Sequence, residues 1–121
     1  MNDIVRIRTN ARRGRAVIHE GVAYIGGQAA DDRNQDIWGQ TTQSLSKLDA
    51  VLASVGSDRS RLLSVQIWLK DISRDFAGMN EVWDGWIDEA DAPARATTQC
   101  EMGAPDVLVE IIAIAAVVPS S

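Results

Sequence analysis

The sequence is poor in the residues that bind metals or form cross-links. Among 121 residues there is one cysteine, Cys100, and one histidine, His19. A single cysteine excludes a disulfide within the chain, and one histidine with one cysteine does not supply a zinc cluster. We therefore expect a protein without a metal or another cofactor, and with no mark of an oxidising compartment.

Long apolar runs and a basic surplus are also missing. No stretch approaches the roughly 18 apolar residues of a membrane-spanning helix, and the N-terminus lacks the apolar segment of a secretory signal. The net charge is −5, from 12 Lys and Arg against 17 Asp and Glu, which disfavours nucleic-acid binding. These absences predict a cytoplasmic protein with neither a membrane nor a nucleic acid as its partner.

One local charge cluster departs from this acidic balance. Several arginines lie close together near the N-terminus: Arg6, Arg8, Arg12, Arg13 and Arg15. One interpretation is a solvated edge strand and loop. The other is that one of these arginines borders a pocket for an anionic ligand, which a guanidinium binds well.

Length and hydrophobic content (45%) predict one domain over residues 1–121. Alternating apolar residues predict early strands at Ile4–Arg8, Ala16–His19 and Val22–Ile25, the last two joined at Glu20-Gly21, and a later strand at Leu62–Lys70. Leu63, Val65, Ile67 and Leu69 are expected to face the helices, with Trp68 on the opposite face.

Helical spacing of apolar residues predicts two helices between these strands. The first runs from Asp36 and ends at Gly56. The second buries a stripe made of Phe76, Met79, Trp83, Trp86 and Ile87. Adjacent Gly26 and Gly27 at the end of the third strand permit a bulge and the close approach of a ligand.

The last two strand-like segments contain one charge each. Arg95 lies near the start of the first segment, and Glu110 lies within the apolar second segment. The turn-rich stretch 103–106 between them predicts an antiparallel hairpin, which would bring Glu110 back towards the strand of Arg95. An arginine held by a carboxylate could bind a small carboxylate ligand, or the two could form a structural ion pair at the subunit interface.

The predicted fold is α+β, with the order βββαβαββ. Six strands form a mostly antiparallel sheet, and both helices cover one of its faces. The other face carries Trp68 and one side of the apolar last strand, which is too much apolar area to remain in water. We therefore expect the chain to oligomerise through the sheet.

These segments resemble those of the Rid family, the YjgF-type reactive-intermediate deaminases. The resemblance covers nearly the whole chain. Its motifs are Gly26-Gly27-Gln28, Ala50-Val51-Leu52 with Gly56-Ser57, Ile67-Trp68-Leu69-Lys70-Asp71, Asp75-Phe76-Ala77-Gly78-Met79-Asn80, Pro93-Ala94-Arg95 and Val109-Glu110-Ile111. It implies a chorismate-mutase-like fold and a homotrimer with clefts between subunits.

The resemblance also implies an activity, the hydrolysis of 2-imino and 2-enamino acids to 2-oxo acids and ammonia. Arg95 would bind the substrate carboxylate, and Glu110 would place or activate the attacking water. Gly26, Gly27 and Thr97 match further substrate-binding positions. The implied partner is a small-molecule carboxylate, and no metal or cofactor is implied.

Several positions differ from the best-known branch of the family. The loop before the second strand contains arginines and no tyrosine, Gly26 stands in place of a serine, and Thr97 stands in place of a cysteine. These differences keep an alternative open, a trimeric module that binds a small carboxylate without turnover. A third hypothesis, endoribonuclease activity, has only the N-terminal arginines in its favour.

Overall fold

The computed structural model describes residues 3–118 and shows an α+β domain. Within these residues, the strands are β1 (Val5–Ile7), β2 (Ala16–His19), β3 (Val22–Ala29), β4 (Leu62–Leu69), β5 (Ala94–Gln99) and β6 (Val109–Ala116). The helices are α1 (Ile37–Ser54), between β3 and β4, and α2 (Ile72–Trp86), between β4 and β5. The predicted combination of a six-stranded sheet with two helices is confirmed. Neither helix is long and apolar enough to cross a membrane.

The six strands form one mixed sheet in the order β1-β2-β3-β6-β4-β5. All neighbouring pairs are antiparallel except β4 and β5, which are parallel. The predicted hairpin of the last two strands is wrong, because β6 lies between β3 and β4 while β5 is at the edge. The reason is that β4, α2 and β5 form a strand–helix–strand crossover, a connection that sets its two strands parallel.

Local signals in the sequence account for the ends of several elements. Asp36 caps α1 by accepting a hydrogen bond from the backbone N–H of Gly39. Gly56 follows the helix with a φ of +75°, a conformation that glycine adopts without strain. Glu20 and Gly21 both have positive φ, which matches the tight turn of the β2–β3 hairpin.

The hydrophobic core lies between the helices and one face of the sheet. The alternate residues of β4 and β6 that point to this face are all buried: Val65, Ile67, Leu69, Val109, Ile111, Ala113 and Ala115. From α1 they meet Leu45, Leu48 and Leu52, and from α2 they meet Met79 and Trp83. The core fixes which face each strand turns towards the helices, and therefore where each charged side chain points.

Two predicted core positions are exposed instead. Leu63 is 48% exposed, because the pairing of β4 with β6 is irregular between Leu62 and Ser64, and this shifts the alternation so that Leu62 is buried. Phe76 is 42% exposed, because the buried stripe of α2 begins one position earlier, at Asp75. The Asp75 carboxylate accepts hydrogen bonds from Arg74 Nε and Nη2 at 3.0 and 2.8 Å.

Neither helix covers the second face of the sheet, which is largely apolar in the described part of the chain. Trp68, Ile112 and Ile114 lie on it and are half-buried, and Tyr24 is 50% exposed. Tyr24 pairs with Ile114, and Ile114 pairs with Ser64 of β4. The prediction that Trp68 points away from the helices is confirmed. This surface of Tyr24, Trp68, Ile112 and Ile114 is called the open face below.

Candidate active site

Arg95 lies at the edge of the sheet, beneath α2. It pairs with the buried Val65, so its side chain points to the helix-covered face. Its Nη2 donates a hydrogen bond of 2.8 Å to Asn80 Oδ1, and its guanidinium carbon lies 5.2 Å from the centre of the Trp83 ring. An amide and an aromatic face hold the guanidinium in place without neutralising its charge.

The electrostatic environment of Arg95 suits an anionic ligand. Partial burial lowers the pKa of the guanidinium, and the nearby Asp84 carboxylate acts in the opposite direction. An arginine remains charged despite such a shift, so this site holds a cation that has lost part of its hydration. Among residues 3–118, no carboxylate forms an ion pair with it. A bound carboxylate would supply the missing partner.

Thr97 lies two residues further along β5 and therefore on the same face as Arg95. Its Oγ1 is buried and has no hydrogen-bond partner among the described residues. At the end of the strand, Gln99 Oε1 accepts a hydrogen bond of 2.9 Å from Ile72 N, which ties β5 to the start of α2. The predicted site residues Arg95 and Thr97 thus lie on one face of β5, and together with Asn80 they form one half of the candidate site.

Glu110 belongs to a second half, on the other face of the sheet. It alternates with the buried Val109 and Ile111, so its side chain points to the open face. Its carboxylate lies against Gly27, where an added Cβ would be only 2.8 Å from Glu110 Cδ. Only glycine leaves room for the side chain in this position. The predicted bulge in β3 is confirmed, between Ile25 and Gln28.

Glu110 lines a cleft of about 250 Å³ beside the β1–β2 loop. The lining residues are Arg13, Gly14, Arg15, Gly26, Gly27, Gln28 and Glu110. Three of the predicted site residues are thereby brought together. The alternative that one of the N-terminal arginines borders a pocket agrees with this geometry, and two of them do.

The predicted meeting of Arg95 and Glu110 within one chain is wrong. They lie on strands separated by β4 and on opposite faces of the sheet. Glu110 is aligned with Trp68 and Arg95 with Val65, so the two are also about 10 Å apart along the strands. The two half-sites of one chain cannot act on the same small molecule.

Two other clusters are separate from these half-sites. A cleft of about 500 Å³, near the β5–β6 loop, is lined by Lys70, Cys100 and Met102 among others, and it contains none of the predicted site residues. Within the described part of the chain, Asp3, His19 and Glu20 form a group that could hold a metal ion. Asp3 and Glu20 are exposed, so the group does not resemble a built metal centre.

Sequence reasoning assigned no role in the candidate site to Asn80, Trp83 or Gln28. Asn80 was visible only as the last residue of a family motif, and Trp83 as a core residue of α2. Gln28 was part of the Gly-Gly-Gln motif, but its complete burial was not predicted. Their roles depend on which residues α2 and β3 place opposite them, which periodicity does not specify.

Comparison with known proteins identifies relatives across nearly the full chain. Residues 4–117 match the family model described as endoribonuclease L-PSP. The chain is 40% identical over 114 residues to the RutC family protein YoaB of Escherichia coli strain K12, covering 94% of this chain and 98% of that protein.

Solved structures of relatives have the same fold. NMB1025 from Neisseria meningitidis, a member of the YjgF protein family, has a TM-score of 0.93 and 32% identity, with 98% of each chain covered. YyfA from Yersinia pestis, a protein of unknown function of the conserved Rid protein family, has a TM-score of 0.81 and 27% identity, with 90% of each chain covered. The chain therefore belongs to the endoribonuclease L-PSP family, which includes the YjgF, Rid and RutC proteins.

Proposed function

We propose that this protein hydrolyses 2-imino and 2-enamino acids to 2-oxo acids and ammonia, in clefts between the subunits of a homotrimer. The observation that supports this most directly is Arg95, a partly buried cation whose contacts within residues 3–118 are an amide and an aromatic ring rather than a paired carboxylate. Such a group is suited to the carboxylate that every 2-imino acid carries. Family membership supports the same reaction class.

The two half-sites support an assembly of several copies. Arg95 and Glu110 of one chain point to opposite faces of the sheet, so a complete site needs Arg95 from one copy and Glu110 from another. The open face supplies the apolar surface for such an assembly, since neither α1 nor α2 covers Tyr24, Ile112 and Ile114. A cyclic trimer would contain three equivalent clefts.

The chemistry requires little beyond positioning and a route for protons. Arg95, supported by Asn80, grips the substrate carboxylate and fixes the orientation of the C=N bond, which lowers the entropic cost of reaction. The Glu110 carboxylate accepts a proton from water as the water oxygen attacks the imine carbon. The proton then passes to the imine nitrogen, which gives a carbinolamine. Glu110 next accepts the proton of the new hydroxyl group and passes it to the amino nitrogen, so that the C–N bond breaks and ammonia leaves as the C=O bond forms.

A competition assay tests this proposal. An amino-acid oxidase generates the imine in the presence of semicarbazide, and the readout is the rate of semicarbazone formation. The wild-type protein should lower this rate by diverting the imine to 2-oxo acid. Arg95→Ala should lose the effect, because the substrate carboxylate has no partner, and Arg95→Lys should retain part of it.

Two controls make the assay decisive. Arg33→Ala removes an exposed arginine that pairs with Asp106, outside both half-sites, and should behave as wild type. Sedimentation velocity should give the same oligomer for Arg95→Ala as for wild type. If wild type leaves semicarbazone formation unchanged for small, acidic and aromatic imines, the deaminase proposal is wrong.

A second candidate is a trimer that binds a carboxylate without turnover. It is favoured by the differences from the best-known branch, namely the missing loop tyrosine and the glycine in place of serine at Gly26. In that case calorimetry should detect binding of a 2-oxo acid that depends on Arg95, while imine decay remains at its spontaneous rate.

A further inference from the structure

We propose that Arg13 and Arg15 make this site selective for imines that carry a second carboxylate, as in imines of acidic amino acids. The inference rests on the proposed deaminase function and names its substrate class. Arg95 would bind the carboxylate next to the imine carbon. Arg13 and Arg15, contributed by the copy that supplies Glu110, would bind the carboxylate at the far end of the side chain.

The position of the two arginines supports this assignment. Both lie in the β1–β2 loop and line the same cleft as Glu110, next to Gly26 and Gly27. A substrate placed with its imine carbon near Glu110 would therefore have both arginine residues in the lining of the cleft that receives its side chain. The neighbouring Arg12 does not line the cleft, although Arg12 and Arg13 are both exposed.

Arg15 is built into the cleft rather than extended into solvent. Its Nη1 donates a hydrogen bond of 3.3 Å to Oε1 of Gln28, whose side chain is completely buried. Gln28 is fixed in turn, because its Nε2 donates to Gly26 O at 2.9 Å. Nε of Arg15 is buried without a hydrogen-bond partner among the described residues. A buried N–H without an acceptor is costly, and a ligand carboxylate would satisfy it.

The surroundings of the cleft are basic although the whole chain is acidic. A smaller adjoining cleft of about 150 Å³ shares Arg15 and Gln28 and is lined also by Arg8 and Lys47. Lys47 pairs with Asp31 at 2.9 Å, and its hydrogen bond and charge lower the pKa of that carboxyl, with smaller contributions from Arg15 and Arg33. Counting Glu110 and Asp31 against these cations, the local balance is positive, which favours an anionic side chain.

An apolar substrate side chain would be poorly matched to this cleft. It would displace water from the arginines that line the cleft and offer them no hydrogen-bond acceptor, and a desolvated donor without an acceptor is costly. A carboxylate would replace that water with charge-assisted hydrogen bonds. Selectivity for acidic side chains follows from both effects together.

The test compares kcat/KM for an imine generated from aspartate or glutamate with that for an imine generated from leucine. Wild type should prefer the acidic imine. Arg13→Ala should lower kcat/KM for the acidic imine by about tenfold to a hundredfold, the usual effect of losing a charge-assisted hydrogen bond, and should lower kcat/KM for the leucine-derived imine much less. Arg13→Lys should restore part of the preference, and Arg12→Ala should match wild type.

Calorimetry with stable 2-oxo acids tests the same preference without requiring that the protein hydrolyses imines. Calorimetry should show tighter binding of 2-oxoglutarate than of 2-oxobutyrate, with the difference reduced in Arg13→Ala and in Arg15→Gln. If wild type hydrolyses leucine-derived imines as well as acidic ones, and Arg13→Ala changes neither, the selectivity proposal is wrong and the deaminase proposal stands. If no imine is hydrolysed but the dicarboxylate preference depends on Arg13, the deaminase proposal fails and the assignment of the cleft stands.

Discussion

At the scale of single residues, Gly27 controls where the Glu110 carboxylate can lie. The two residues are on neighbouring strands, and the absence of a side chain at position 27 leaves the space that Glu110 occupies. The neighbouring Gly26 has ordinary clearance, with its nearest atoms 3.6 Å from an added Cβ. Of the two adjacent glycines in this motif, Gly27 is therefore required by the space that Glu110 occupies, whereas Gly26 is not required for clearance.

We predict that Gly27→Ala lowers turnover without unfolding the protein. The new methyl group would displace the end of the Glu110 side chain, which is flexible enough to move at little cost in stability. A displacement of about 1 Å at a reacting group can reduce the rate by about a hundredfold. Steady-state kinetics and urea denaturation should show a large loss of kcat with a nearly unchanged unfolding midpoint.

Gly103→Ala is the matched control, because an added Cβ there meets no atom within 4 Å. It should retain wild-type kinetics. Wild-type turnover by Gly27→Ala would show that the position of Glu110 seen here is not the one that matters for the reaction.

At this scale the sequence identified Arg95 and Glu110 as candidate site residues but did not predict which neighbours they have. Arg95 and Glu110 stood out because each is a lone charge in a strand-like segment. That Glu110 is accommodated by Gly27, and that Arg95 is held by Asn80, depends on the neighbours of β5 and β6. Those neighbours come from distant parts of the chain, so no local pattern indicates them.

At the scale of elements, Gln40 joins the start of α1 to the start of β6. It is 1% exposed, and its Nε2 donates to the carbonyl oxygens of Arg33, Gln35 and Asp106. Its Oε1 accepts a hydrogen bond of 2.9 Å from Leu108 N. Leu108 is two residues before Glu110, so this buried amide helps to fix the entry of the strand that carries the proposed general base.

We predict that Gln40→Leu destabilises the protein by about 2–4 kcal/mol, because a side chain of similar size would leave the Leu108 N–H and three carbonyl oxygens without their partner. Urea denaturation followed by circular dichroism measures the change. Thr42→Ala, at an exposed position of the same helix, should alter stability by no more than about 0.5 kcal/mol. A Gln40→Leu protein as stable as the control would mean that water replaces the amide without cost.

The arrangement of elements was the part of the fold that local patterns predicted least well. Periodicity identified α1, whose predicted end at Gly56 is confirmed, and it identified the β2–β3 hairpin. It failed for β5 and β6, where a turn-rich connection suggested a hairpin. The parallel pairing of β4 with β5 follows from the handed crossover through α2, a rule about connections rather than about residues.

At the scale of the whole molecule, the open face is the surface on which the proposed assembly depends. Ile114 lies near its centre, paired with Tyr24 on one side and Ser64 on the other. We predict that Ile114→Lys yields monomers, because assembly would bury a lysine charge in an apolar interface. Sedimentation velocity measures the outcome, and the monomer should be inactive although Arg95 and Glu110 are unchanged.

Ala77→Lys provides the comparison, since Ala77 is exposed on α2 and lies on the helical side of the molecule. It should assemble and react as wild type does. A trimer of Ile114→Lys would place the interface elsewhere and would remove the support that the open face gives to the proposed clefts.

The opposite orientations of Arg95 and Glu110 also have a genetic consequence. In the proposed trimer, a chain without Arg95 and a chain without Glu110 are each inactive alone. A mixed trimer still contains one cleft with Glu110 from the first chain and Arg95 from the second. Random mixing in equal amounts would restore about a quarter of the clefts in a cyclic trimer. Two null alleles would then complement each other within one cell. A cell with both alleles would have activity, although a cell with either allele alone would not.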